Sequence, residues 1–182
     1  MALFKNKYRI ESIRLKEWDY RNSGYYFVTI CTKNREPYFG HIVKGNMILS
    51  PVGEIAAQCW REIPKHHAGV QLDEFVIMPN HAHGIVVICS PVGTLHATSP
   101  QGKSTMSEIS PKAGSLGVII RSYKSAVTRL AGLAGFKEFA WQSRYHDHII
   151  RDERSLHRIR HYLVNNPAKW ESDRENLSDL YR

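Results

Sequence analysis

The chain has 182 residues, 42% hydrophobic and 23% charged, enough for one sizeable core in an ordinary globular balance. Its longest apolar runs, such as Gly84 to Cys89, are far too short to span a bilayer, and the opening MALFKNKYRI has no sustained apolar region of the kind a secretory signal needs. A net charge of +8, from 25 Lys and Arg against 17 Asp and Glu, suits a polyanionic partner, while Cys31, Cys59 and Cys89 form no CxxC pair and point to neither a zinc cluster nor a disulfide framework.

SGYYFVTICTK (Ser23 to Lys33), aromatic and β-branched, predicts a strand. HIVKGNMILS (His41 to Ser50) places Gly-Asn between two short apolar runs and predicts a hairpin. From Val52 the period changes: Val52, Ile55, Ala56, Cys59 and Ile63 share a helical face, and Pro64 is expected to end that helix. Val70 to Met78 and His81 to Cys89 read as two strands joined at Pro79-Asn80. The stretch 91–114, rich in Ser, Thr, Pro, Gly and Lys without an apolar period, reads as a mobile surface loop. Leu116 to Leu133 resumes helical spacing, and FAWQSRYHDHIIR (Phe139 to Arg151) is strand-like. Asp152 is placed to cap a last helix with Leu156, Ile159 and Leu163 on one face, which Pro167 stops. With the hairpin set aside, the first six elements make the βαββαβ order of an α+β, ferredoxin-like antiparallel sheet, followed by a C-terminal helix that carries Tyr162. One domain over 1–182, with a core of about 20–170, is expected. Many functions live on that fold, so function has to come from a site.

VIMPNHAHGIVVI puts His81 and His83 one residue apart on a strand, where alternate side chains share a face. Each buried imidazole must satisfy its polar nitrogens, and a divalent ion takes one nitrogen from each. The rival is YHDHII, in which His146 and His148 share a face by the same argument; a strand end lined with polar groups is the plainer reading of either pair. Spacing does not rank the two. In HRIRHYLVNNPAKW, Tyr162 and Asn166 are i and i+4 on the last helix and lie one above the other. Asn166 offers a carbonyl oxygen acceptable to Mg or Mn beside two imidazoles. Tyr162 offers a phenol that attacks phosphorus once ionised, from a reference pKa of about 10. A tyrosine at the edge of an amphipathic helix and an asparagine cap before proline are equally ordinary roles for the two. Tyr123 and Tyr145 are competing nucleophiles.

Together, YYFVTICTKNREPYFG, FVIMPNHAHGIVVI, RSYKSAVTR and WQSRYHDHIIRDERSLHRIRHYLVNNPAKW resemble the REP-associated tyrosine transposases, within the single-tyrosine, His-hydrophobic-His transposase superfamily. The resemblance runs over roughly residues 20 to 170, with PNHxHG, WQxxYxDHxIR and YxxNNP in order. It implies His81 and His83 as metal ligands, Asn166 as a weaker third ligand and Tyr162 as the nucleophile; His146 and His148 then belong to the motif without being the metal pair.

The activity implied is a metal-dependent (Mg or Mn) endonuclease and strand transferase on single-stranded, hairpin-forming DNA. The ion polarises the scissile phosphate, Tyr162 forms a 5′-phosphotyrosine, and the released 3′-hydroxyl can reverse the step without a nucleoside triphosphate. Arg121, Lys124, Arg129, Arg144, Arg151 and Arg158 would supply a phosphate track. The implied setting is cytoplasmic and nucleoid-associated, with no membrane partner, as a monomer or a homodimer in which Tyr162 serves either chain. The main rival is a DNA-binding module that reads hairpins and no longer cuts; intact His81, His83, Tyr162 and Asn166 argue against it. An RNA-binding sheet domain would show an aromatic signature that is missing here. A metal hydrolase would want a general base, yet no acidic residue lies between Glu74 and Glu108.

Overall fold

The aromatic and β-branched run Gly24–Cys31 forms a strand, β1, buried from Tyr26 onward. In the computed structural model, residues 18–89 and 114–170 are described, together with the backbone of the paired two-residue strands Leu3–Phe4 and Lys7–Tyr8. After β1, a short 3₁₀ turn over Lys33–Arg35 leads to the hairpin of β2 (Gly40–Val43) and β3 (Asn46–Leu49). Lys44 and Gly45 turn that hairpin with φ of 49° and 75°, the left-handed geometry a two-residue turn requires. Helix α1 (Pro51–His66), β4 (Val70–Met78), β5 (His81–Ile88), α2 (Leu116–Leu133), β6 (His146–Ile150) and α3 (Glu153–Asn165) follow. A second 3₁₀ turn, Pro167–Lys169, closes the described chain.

The main sheet is antiparallel throughout, in the order β4-β5-β1-β6. This is the ferredoxin-like arrangement the element order predicts, with β5 and β1 at its centre. Alternation then sorts the side chains. Tyr26, Val28, Ile30, Ala82, Val86 and Ile88 face α1 and α2 and join Trp60, Ile119, Ile120 and Tyr123 in the larger core. Phe27, Ile85 and Ile150 face the other way, against Leu156, Ile159 and Leu163 of α3. Burying such an aliphatic side chain stabilises by roughly 1.5–3 kcal/mol, so three of them dock α3 firmly on the sheet. The Asp152 carboxylate accepts from the Ser155 amide at 2.8 Å and starts α3 where the sequence places its cap.

Gly84, directly after the second histidine, is a packing requirement. A Cβ there would sit 2.8 Å from Trp60 Cε2 and 2.9 Å from Phe75 Cβ, because the indole packs directly against the strand at that point. The Pro79-Asn80 corner before His81 is held from outside: the Phe39 amide donates to the Pro79 carbonyl and the Thr32 amide to the Asn80 carbonyl, each at 3.0 Å.

Two expectations are corrected. Helix α1 continues past Pro64 to His66, since a proline in the last turn removes only one ladder bond, and the His67 amide still reaches the Ile63 carbonyl at 3.1 Å. The strand expected over Phe139 to Arg151 is confined to His146–Ile150, with a lone bridge from Trp141 to Thr32. Phe139 and Trp141 instead pack in an aromatic cluster with Tyr38, Phe39 and Tyr123, which pulls their segment out of the ladder. The stretch 91–114 lies outside the described residues except for Gly114. Among the described residues no helix is long and apolar enough to cross a membrane.

Candidate active site

The antiparallel register sets His81 between Cys31 and Met78, and His83 between Thr29 and Val76, on the face covered by α3. His83 is only 1% exposed; its ring stacks on Phe27 at 5.3 Å and meets the edge of Tyr162 at 5.5 Å. The two imidazoles are 4.3 Å apart, centroid to centroid.

Each ring has a partner on Nδ1. His81 Nδ1 lies 2.8 Å from Asn80 Oδ1, and His83 Nδ1 lies 2.8 Å from Thr29 Oγ1. A carboxamide oxygen only accepts, so His81 carries its proton on Nδ1 and presents a lone pair at Nε2. The Thr29 hydroxyl, which can donate or accept, holds the His83 ring in place at Nδ1. Burial drives both rings toward the neutral form: His81 is pushed down to about 3, with the charge of Arg35 adding to the effect, and His83 lies well below its ordinary value. Neutral imidazoles with a lone pair at Nε2 are the form that binds a metal ion.

His81 Nε2 is buried without a hydrogen-bond partner among the described residues. Such an atom ordinarily costs about 1–3 kcal/mol unless something fills the place. A divalent ion held by the two Nε2 atoms would do so. Among the described residues no group of three His, Cys, Asp or Glu could hold a metal, so the third protein donor has to be of another kind. Asn166 could be that donor. It is 1% exposed at the C-cap of α3, between Tyr162, which touches His83, and Trp170, which stacks on His81 at 5.8 Å.

The Tyr162 hydroxyl lies 3.3 Å from His83 Nε2 of its own chain. The competing tyrosines are elsewhere. Tyr123 is buried in the α1–α2 core, donates to the Ala56 carbonyl at 3.3 Å and is held strongly protonated by burial. Tyr145 packs against that same core. The second histidine pair shares the sheet face with the first: His146 pairs with Thr29 and His148 with Phe27, each one strand beyond β1. His146 is exposed, and the His148 ring is held down by burial and by Arg151 and Arg158.

No protein-family model matches the chain. An uncharacterised protein of Haemophilus influenzae is 43% identical over 162 residues, covering 89% of this chain and 90% of that one. The two proteins belong to one family. Among solved structures, the chain resembles that of a REP-associated tyrosine transposase bound to a REP hairpin, with a TM-score of 0.54 and 18% identity over 90% of this chain and 73% of that one. The fold is that of the REP-associated tyrosine transposase.

On this transposase fold the cations expected to track DNA are spread out. Arg121, Lys124 and Arg129 lie on α2, which covers the sheet face opposite the histidine pair. The Lys124 amine is engaged, donating to the Gln142 carbonyl at 2.5 Å. Arg144 and Arg151 are exposed at either end of β6, and Arg158 is exposed on α3 beside Ser155. A groove of about 1080 Å³, walled by Pro37, His41, Lys44, Pro79, Lys169 and Trp170, runs past the Pro79 corner and the far side of Trp170, without His81 or His83 in its lining. Sequence reasoning missed Thr29, Asn80 and Trp170 as partners of the histidines. Asn80 stood inside the quoted motif, but Thr29 depends on a register no local pattern displays. It also missed the pairing of Arg160 with Asp73, at 2.9 and 2.5 Å, which ties α3 to β4.

Proposed function

We propose that the protein is a metal-dependent endonuclease and strand transferase for single-stranded, hairpin-forming DNA, working through a 5′-phosphotyrosine at Tyr162. The observation that carries this reading is the 3.3 Å approach of the Tyr162 hydroxyl to His83 Nε2, beside a second buried imidazole whose Nε2 has no protein partner among the described residues. His81, His83 and Asn166 would hold a divalent ion, Mg or Mn, which when bound polarises the scissile phosphate and offsets its developing charge. Thr29 and Asn80 orient the two rings through Nδ1. Phe27 and Trp170 wall the rings and keep water away from them. The Tyr162 oxygen bonds to phosphorus as the bond to the 3′ oxygen breaks, and the proton lost from the phenol ends on that oxygen, which leaves as a 3′-hydroxyl. Attack by the same or another 3′-hydroxyl restores the phosphodiester and frees the tyrosine.

Tyr162 serves the histidines of its own chain in this reading, because both contacts are made within one molecule. DNA enters along the groove beside Trp170, where Lys44 and Lys169 meet phosphates and the indole meets a base. The structural relative bound to a REP hairpin supports a hairpin as the partner. Incubation of a labelled hairpin carrying a single-stranded flank with Mn or Mg should give a covalent protein–DNA band on a denaturing gel. The band should be lost with Tyr162→Phe and kept with Tyr123→Phe. Hairpin binding without a band under either metal would leave a DNA-binding module in its place.

A further inference from the structure

We propose that the second histidine pair, His146 and His148, is a phosphate-binding site that holds a phosphate of the DNA strand beside the scissile one. The proposal rests on the reading of the site as one that takes a DNA strand. Sheet register sets two rows across β6, β1 and β5: His146 stands opposite Thr29 and Thr29 opposite His83, while His148 stands opposite Phe27 and Phe27 opposite Ile85. Ile150, two residues on from His148, packs with Phe27 against α3, so alternation puts both histidines on that same face, with His81 and His83. Neighbouring strands lie about 4.8 Å apart, which sets the His146 and His83 backbones about 10 Å from each other. Two such side chains are close enough to meet neighbouring phosphates of one strand.

Helix α3 leaves the start of β6 uncovered: His146 is exposed and His148 half-buried. Arg160 holds the helix toward the opposite edge of the sheet, donating to Asp73 of β4 at 2.9 and 2.5 Å. The other side of the helix carries Tyr162, whose hydroxyl is 3.3 Å from His83 Nε2. Arg158 is exposed on that side, one helical turn before Tyr162, and donates to Ser155 Oγ at 3.2 Å. A DNA strand that enters beside Trp170 and passes Tyr162 leaves across β6, over His146 and His148.

The surroundings of this pair select an anion over a second metal ion. Asp147, the carboxylate between the two histidines, pairs with Val28 and turns to the opposite face of the sheet. Among the described residues no third His, Cys, Asp or Glu joins the two imidazoles in a group that could hold a metal. The side of α3 that faces them offers a guanidinium instead, and the His148 ring, which burial first makes harder to protonate, also feels Arg151 and Arg158. Each imidazole has an N–H to give a phosphate oxygen, and Arg158 adds charge and a fork of donors that fits paired oxygens.

The test replaces the phosphates in the single-stranded flank of a labelled hairpin, one at a time, by uncharged methylphosphonates. Binding is read by fluorescence anisotropy in a Tyr162→Phe background, so that no adduct forms. At one flank position the replacement should weaken binding to the parent several-fold. His146→Ala combined with His148→Ala should bind native and replaced DNA alike, at that weaker level, and His146→Ala alone, at an exposed position, should show part of the same coupling. Asparagine at both positions keeps an N–H donor and should recover part of the loss. Arg158→Gln should make a plot of log affinity against log salt shallower by about 0.7, the contribution of one contact to a single strand. Lys65→Gln, on the far side of the sheet, should match the parent throughout, and the double alanine variant should keep the parent's manganese affinity. A methylphosphonate loss that is the same in parent and variants at every position overturns the assignment. So does a manganese affinity that falls in the double variant, which would make the pair a metal site. If the coupling appears but Tyr162 forms no adduct in the unmutated protein, the phosphate site stands and the nuclease reading falls; no hairpin binding at all overturns both.

Discussion

Thr29→Val is the substitution that most sharply separates a tuned metal ligand from an ordinary buried histidine. Valine fills almost the same volume as threonine and is at least as good a strand former, so neither cavity nor propensity changes much. What is lost is the hydroxyl 2.8 Å from His83 Nδ1, in a pair whose members are 2% and 1% exposed. Water cannot replace it there, and an imidazole nitrogen left without its partner costs about 1–3 kcal/mol. The Val28 backbone, which also favours a proton on the His83 ring, is a residual acceptor and keeps the cost toward the lower end of that range. The second loss falls on the proposed divalent ion. Without its hydroxyl the ring no longer has one enforced orientation, and removal of such a supporting partner typically lowers metal affinity by about 10–100-fold. Urea unfolding without metal measures the first effect, and manganese titration followed by electron paramagnetic resonance measures the second. Thr29→Ser, which keeps the oxygen, should recover most of the manganese affinity. If Thr29→Val unfolds at the urea concentration of the parent and binds manganese equally well, the orienting role assigned to Thr29 is wrong.

Other substitutions test the scaffold. Gly84→Ala should destabilise by about 1–3 kcal/mol in thermal or urea unfolding, because the new methyl meets the Trp60 ring and the Phe75 Cβ; a neutral result would mean that the indole does not lie over that strand. Asp73→Asn should cost about 1 kcal/mol at neutral pH, a modest figure because Arg160 is partly exposed. Arg160 holds the Asp73 carboxyl below its ordinary value, so this contribution is present above pH 4 or so and fades as pH falls below it. The difference between parent and variant should shrink in acid, and a constant difference would refute the ion pair as its source. The histidines give a second pH window. The folded-state value of His81 lies near 3, so the unfolded chain takes the proton first; stability is unaffected above about pH 6.5 and falls as pH drops from there toward 3. His81→Gln should flatten that decline in urea midpoints measured between pH 7 and 5.

Much of the fold was legible because its signals are local. The period of apolar residues from Leu116 to Leu133 gave α2 to the residue, and Asp152 marked the start of α3. The alternation through His81 and His83 gave a central strand covered on both faces. Pro64 misled because a proline's effect depends on how many turns follow it. Phe139 to Arg151 misled because aromatic strand formers also serve as cluster residues when a core lies within reach. The site was half legible. Spacing put Tyr162 and Asn166 on one helix face and each histidine pair on one strand face, but it could not rank His81/His83 against His146/His148, and register puts both pairs on the same side of the sheet. What separates them is long-range: a hydroxyl 54 residues away on Nδ1 of His83, and a tyrosine 79 residues away at its Nε2. The Asp73–Arg160 pair, 87 residues apart, arises where β4 bulges between Leu72 and Phe75, and nothing in the local pattern announces a bulge.

The central claim is that the Tyr162 oxygen becomes bonded to DNA phosphorus, and it is tested most directly on the peptide that would carry the bond. After reaction with a flanked hairpin and manganese, nuclease trimming and tryptic digestion, mass spectrometry should find His161 to Lys169 heavier by a nucleotide remnant attached at Tyr162. The same peptide recovered only unmodified, while cleaved DNA accumulates or a remnant appears on another tyrosine, would contradict the account.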